Sequence, residues 1–361
     1  MKEMTQKICA SLTPKRSKQT KRRTNFHEDA HFMAHTDLAK SQSALEMTNS
    51  TCNLTDYMVL NDAEKVAIAT ICLLIAPFAL LANILVLIVI GCSSHLRQHP
   101  SYLFMGSLAL ADTVACCVFT TIFLNFHLLN PDNCSDEYLL KLGGVTTAFT
   151  SSVGSLLLMA VDRYYVIFKA YKYNVLNRKR VVVGTVILWA VAFFIAFLPL
   201  MGWRCVNGQS CSKLFPYVHR YYLGFWAILV LVVLVLILAA YGIIVWKAHR
   251  HDTNMDAEHP GKARMRLDIR LAKTFSFILL ILLVCWLPIL SFMMADVVSE
   301  QISKLQGKVF AFCCLLCLVN SGINPLLYTL LCRELQAALA SLLSGLRRWK
   351  GWCWSNTSPI T

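Results

Sequence analysis

Asp112 stands inside a long apolar run, in Ser107-Leu108-Ala109-Leu110-Ala111-Asp112, and the triplet Asp162-Arg163-Tyr164 closes another. Ionised groups in such settings are costly to desolvate, so their presence points to a task. Asp112 fits two tasks: a protonated, hydrogen-bonded packing residue, or a partly hydrated ion or proton site with polar partners on other helices. Asn83, Ser152, Asn320, Ser321 and Asn324 also interrupt apolar runs and can supply those partners. Pro325 follows Asn324, and Pro288 follows Cys285-Trp286-Leu287. A proline inside a helix removes a backbone hydrogen bond and kinks it. A kink above a polar cluster gives a helix two positions, which a switch requires. For Asp162-Arg163 the plainer alternative is an interfacial ion pair.

The elements that must position these groups are long and apolar. Segments near 66–91, 101–128, 142–168, 181–203, 221–246, 274–295 and 309–332 each approach the ~20 residues needed to cross ~30 Å of hydrocarbon. Backbone in lipid must satisfy its own hydrogen bonds, so these segments are expected to be helices. Composition agrees: the chain is 57% hydrophobic and 15% charged, with mean hydropathy +0.55, whereas soluble domains carry about 25% charge. The net charge of +14 does not indicate nucleic acid, because the basic residues lie between apolar runs and set topology. Most of the 15 cysteines lie inside apolar runs as small hydrophobes. No metal-ligand cluster is apparent, and His127 is isolated, which argues against a membrane hydrolase.

Lysine and arginine crowd the loops after the third and fifth segments and the C-terminal tail. The positive-inside rule therefore predicts a cytoplasmic C-terminus, and seven crossings then put the N-terminus outside. Asn49, Asn53 and Asn133 head sequons on that outer side and are candidate glycosylation sites. Residues 1–62 are expected to form a disordered extracellular tail. Its basic block Lys15–Arg23 opposes translocation, a conflict removed if translation starts at Met47 and residues 1–46 are absent from the mature protein. Residues 63–332 form the seven-helix unit. Residues 333–346, with Leu335, Leu339, Leu342, Leu343 and Leu346, suit an amphipathic helix on the inner membrane surface, and 347–361 a cytoplasmic tail. The expected fold is an all-α membrane protein, multi-pass in the plasma membrane.

Taken together, Asn83, Leu108-Ala109-Leu110-Ala111-Asp112, Asp162-Arg163-Tyr164, Trp189, Cys285-Trp286-Leu287-Pro288 and Asn324-Pro325-Leu326-Leu327-Tyr328 resemble the rhodopsin-like (class A) G-protein-coupled receptors over about residues 57–345. Finer runs, including Ser152-Val153-Gly154-Ser155, Leu198-Pro199-Leu200-Met201-Gly202-Trp203 and Asp268-Ile269-Arg270-Leu271-Ala272-Lys273-Thr274, are similar to the cannabinoid receptors. The short third cytoplasmic loop favours their type 2 branch. Three departures from the wider class agree: no proline in the fifth segment, Tyr138 where a cysteine is usual, and Cys205 with Cys211 in the second extracellular loop. The resemblance implies a disulfide between those two cysteines; two free thiols are the alternative.

The amine receptors of this class carry an aspartate at the position of Val145, so a cationic ligand is not expected. Phe119, Phe123 and Phe126 share a helix face that, on residues alone, could meet lipid or core. The resemblance places them at a ligand pocket with Phe149, Phe215, Tyr222, Trp226, Trp286 and Phe310. Candidate polar contacts are Thr146, Lys141, His127 and the thiol of Cys314, a weaker donor than the serine usual there. The implied ligand is a neutral lipid, a fatty-acid ethanolamide or monoacylglycerol. The implied partners are that ligand, a heterotrimeric G protein of the inhibitory class, arrestin, a receptor kinase and membrane lipids.

The implied mechanism is a population shift. At rest Arg163 pairs with Asp162 and with Asp268; ligand bulk against Phe149 and Trp286 swings the sixth helix about Pro288, and Tyr328 turns inward. No cofactor is expected, apart from a sodium ion as allosteric modulator at Asp112 with Ser152, Asn320 and Asn324. Two rivals remain: a lysophospholipid receptor, which needs clustered cations for phosphate, and a seven-helix transporter or ion pump, which needs buried carboxylate relays or internal repeats.

Overall fold

The computed structural model describes residues 57–128, 135–168, 178–205, 210–254, 262–299 and 301–355. The sequons at Asn49, Asn53 and Asn133 lie outside them. The described residues form helices α1 (Asp62–Cys92), α2 (Ser94–Gln98), α3 (Pro100–Leu128), α4 (Ser135–Phe168), α5 (Arg178–Ala196), α6 (Arg220–Asn254), α7 (Lys262–Val298), α8 (Lys304–Leu331) and α9 (Arg333–Ser355). All but α2 and α9 are long and apolar enough to cross a membrane, which makes seven candidate spans. No strand forms among the described residues beyond two isolated bridges, Arg204 with Val218 and Cys211 with His219.

Helix starts follow local chemistry. Asn61 and Glu64 make a reciprocal capping box at α1, and Ser303 and Gln306 make another at α8, satisfying amide groups that have no partner within the first turn. The third span begins at Ser135, earlier than its apolar run, because Asp136 and Glu137 suit the positive helix N-terminus. The fourth ends at Ala196 rather than near 203. Phe197–Gly202 form turns in which Pro199 has no amide to donate and Gly202 takes φ +126. Helix α9 continues past Leu346 to Ser355.

Side chains sort by solvent. Val182, Val186, Ile187, Val191 and Phe194 of α5 are exposed, an apolar surface suited to lipid rather than water. Several polar residues of the spans turn inward, while Thr70, Thr121 and Ser291 stay exposed and bond the carbonyl one turn back. Asn83 donates from Nδ2 to the Ser321 carbonyl at 2.9 Å, tying α1 to α8. Trp189 Nε1 donates to Ser107 Oγ at 3.1 Å, and Ser107 meets Ser155 at 2.9 Å, tying α5 to α3 and α4. Gly154 allows this approach, since an added Cβ there would collide with Leu188. Prolines lie inside α7 (Pro288) and α8 (Pro325), and Pro77 sits inside α1 as well.

Candidate functional site

A cavity of about 160 Å³ opens between α3, α4, α6, α7, α8 and the loop that follows α5. Helical spacing puts Phe119, Phe123 and Phe126 on one wall, so the face left open by sequence meets the cavity and not lipid. Phe119 and Phe123 stack at 5.1 Å, and Phe119 meets Phe149 edge-on at 6.2 Å. Phe149 meets Trp286 edge-on at 5.0 Å, and Trp226 lies 6.0 Å from the same indole. On the far side Phe215 and Phe310 meet edge-on at 5.5 Å. Such quadrupole-matched contacts make a rigid apolar container.

Polar groups at this wall are few and mostly engaged. Trp226 Nε1 donates to Thr150 Oγ1 at 3.0 Å, and the Tyr222 hydroxyl donates to the Ile195 carbonyl at 3.2 Å. His127 packs against Phe123 and Phe126 at 4.5 and 5.1 Å. Val145, Thr146 and Cys314 also line the cavity. Lys141, expected from sequence as a polar contact, is not among the lining residues; its ammonium pairs with Glu137 at 2.6 Å, one helical turn back. Lys213, unread in the sequence, borders the cavity instead.

The mouth is knotted by a serine. The Ser212 hydroxyl donates to Asp296 Oδ2 at 2.5 Å and accepts from the amides of Leu214 (3.1 Å) and Phe215 (2.9 Å). The Ser212 carbonyl accepts from the Tyr57 hydroxyl at 2.8 Å, and Val59 joins Tyr57 in lining the cavity. Asp296 is fully buried and also accepts from the Lys213 amide at 2.9 and 3.2 Å. Asp112 is therefore not the sole buried carboxylate of the bundle. Cys205 and Cys211 are bonded, with Cα atoms 5.2 Å apart, which hands Ser212 to this position.

Deeper in the bundle, Asp112 is fully buried and accepts from Asn324 Nδ2 (2.8 Å), Ser321 Oγ (3.2 Å) and Ser152 Oγ (3.3 Å). Asn320, named from sequence, is buried but makes no bond to this carboxylate; Ser321 does. One carboxylate with hydroxyl oxygens suits a hard monovalent cation better than a transition metal. At the end of α4, Asp162 is buried and accepts from Ser101 Oγ at 3.0 Å. Tyr164 is half-buried beside Tyr165. The side chains of Arg163 and Asp268 lie outside the described residues, and so does their expected bridge. Tyr328 is fully buried, and its hydroxyl has no hydrogen-bond partner among the described residues.

The family described as "7 transmembrane receptor (rhodopsin family)" matches residues 82–328. The chain is 41% identical to cannabinoid receptor 2 of Rattus norvegicus over 317 residues, covering 84% of this chain and 87% of that one. It is 42% identical to cannabinoid receptor 2 of Homo sapiens over 300 residues, 82% of each chain. Cannabinoid receptor 1 of Xenopus laevis is 40% identical over 305 residues, 79% of this chain and 65% of that one.

Proposed function

The chain belongs to the rhodopsin family of seven-transmembrane receptors, within it to the cannabinoid receptors, and we propose that it responds to neutral lipids such as 2-arachidonoylglycerol and anandamide. It is a multi-pass plasma-membrane receptor, not an enzyme, with a small-molecule ligand and a G protein as partners. The observation that carries the ligand class is the cavity wall: it is mostly aromatic and aliphatic, and no aspartate or glutamate is among the described residues that line it. Such a wall binds an acyl chain by burying apolar area and offers no counter-ion to an amine.

The cavity reaches Trp286, two residues before Pro288. Ligand bulk between Phe149 and Trp286 favours the state in which α7 swings about that proline, by its differential affinity for the two states. Arg163, freed from Asp162 and Asp268, then faces the G protein, which belongs to the inhibitory class and lowers cyclic AMP. Tyr328 gains a partner for its hydroxyl by turning inward. Arrestin and a receptor kinase complete the set of cytoplasmic partners. Asp112, with the Ser152 and Ser321 hydroxyl oxygens, would hold a sodium ion, whose positive charge would favour the resting state. The mouth faces the cell exterior, and the tail lies inside.

The test is cyclic AMP in cells expressing Met47–Thr361, with and without 2-arachidonoylglycerol, beside Arg163→Ala. A ligand-dependent fall that Arg163→Ala abolishes is the expected result. No response from a receptor confirmed at the surface refutes the neutral-lipid, inhibitory-class reading.

A further inference from the structure

Among the described residues, the cations at the mouth end of the bundle are mostly matched with acids. Lys65 pairs with Asp62 at 3.4 Å, Lys308 with Glu64 at 2.9 Å, Lys141 with Glu137 at 2.6 Å and Arg204 with Asp136 at 2.6 Å. Lys213 differs. It is the sole lysine or arginine among the cavity-lining residues, its side chain is exposed, and it makes no ion pair among the described residues. Its backbone is fixed by the two bonds from its amide to Asp296. That carboxylate is fully buried and makes no ion pair with the Lys213 ammonium; its oxygens accept from the Ser212 hydroxyl and the Lys213 amide. With no acid among the described residues of the wall, Lys213 brings an unmatched charge to an apolar chamber.

We propose that the cavity also takes an acyl lipid whose head bears a single carboxylate, as in an N-acyl amino acid, with the anion on the Lys213 ammonium and the chain in the aromatic interior. This rests on the lipid-receptor reading above and adds a second head-group class to it. A lone lysine is a point charge that suits a monoanion; a phosphate head calls for clustered arginine and lysine. The pairing is made where the ligand's own chain excludes water on one side, so it is stronger than a fully exposed pair, yet still weakened by salt.

The test is equilibrium binding of two labelled lipids with one acyl chain, N-arachidonoylglycine and anandamide, whose heads differ as carboxymethyl and hydroxyethyl. Membranes carry the full chain as wild type, Lys213→Met or Lys213→Arg, and lysophosphatidic acid serves as a phosphate-headed competitor. Lys213→Met is expected to lower the ratio of carboxylate-lipid to anandamide affinity about threefold to tenfold, whatever it does to both together, with Lys213→Arg restoring the ratio. Surface labelling of intact cells checks that the variants fold and reach the membrane. Anandamide binding with no Lys213-dependent preference for the carboxylate overturns this proposal and leaves the neutral-lipid reading standing. Lys213-dependent carboxylate binding without anandamide binding does the reverse. Binding of neither lipid by the wild type overturns both. Lysophosphatidic acid binding more tightly than the carboxylate lipid, in a Lys213-dependent way, overturns the monoanion assignment.

Discussion

Replacing Ser212 with alanine removes one oxygen that serves three partners. The hydroxyl gives the 2.5 Å bond to Asp296 and accepts the Leu214 and Phe215 amides, all at a residue with no solvent exposure. A hydrogen bond to a charged group is worth about 1.5–3 kcal/mol net, and a buried acceptor left short of donors carries a further penalty. A local loss of about 2–3 kcal/mol is expected, and it falls on the segment that places Phe215 against Phe310 at 5.5 Å. If half of that loss is felt only with ligand bound, dissociation speeds up about tenfold, since about 1.4 kcal/mol is one decade. The assay is the dissociation rate of a labelled lipid from membranes carrying wild type, Ser212→Ala, Asp296→Ala and the double variant. The single losses should fail to add, with a coupling of about 1–2 kcal/mol, because each removes the same bond. Off-rates within twofold of wild type, or strictly additive losses, would refute the idea that this serine ties α7 to the loop.

Asp112→Asn should abolish any difference in agonist affinity between sodium and choline chloride, because the charge that attracts the cation is gone while three donors still face it; saturation binding in the two salts checks this. Lys141→Met should leave lipid affinity within about twofold, since its ammonium is occupied by Glu137 and outside the cavity; competition binding decides. Cys205→Ser should lower surface expression and the number of ligand sites, because the bridge delivers Ser212 to Asp296; surface labelling with saturation binding reads both, and unchanged values count against a positioning role for the disulfide.

Most of the seven-span architecture was legible because partition into lipid is a local property: roughly twenty apolar residues in a row suffice, whatever they later touch. The interior polar residues were legible for the same reason, since Asn83, Asp112 and Asn324 are conspicuous where lipid tolerates almost nothing polar. The aromatic wall followed from helical spacing once a face was assigned, and that assignment needed either a resemblance or a structure. Lys141 carried a readable signal that pointed the other way: Glu137 stands one turn before it, the spacing of a helical ion pair.

The mouth was not legible. Ser212 and Lys213 lie in a short polar loop, Asp296 near the end of a span, and Tyr57 in the segment before the first helix. Nothing in their local patterns says that they meet. Their contact is set by the Cys205–Cys211 bridge, by the turn at Gly202 that folds the loop inward, and by the packing that brings the end of α7 beneath it. Sequence alone determined which segments enter the membrane and which residues are costly there, because both follow from each side chain's own free energy of transfer. Only the tertiary structure decided which charges are matched, which is left over at the cavity rim, and which serine holds the loop, because those depend on distances between segments far apart in the chain.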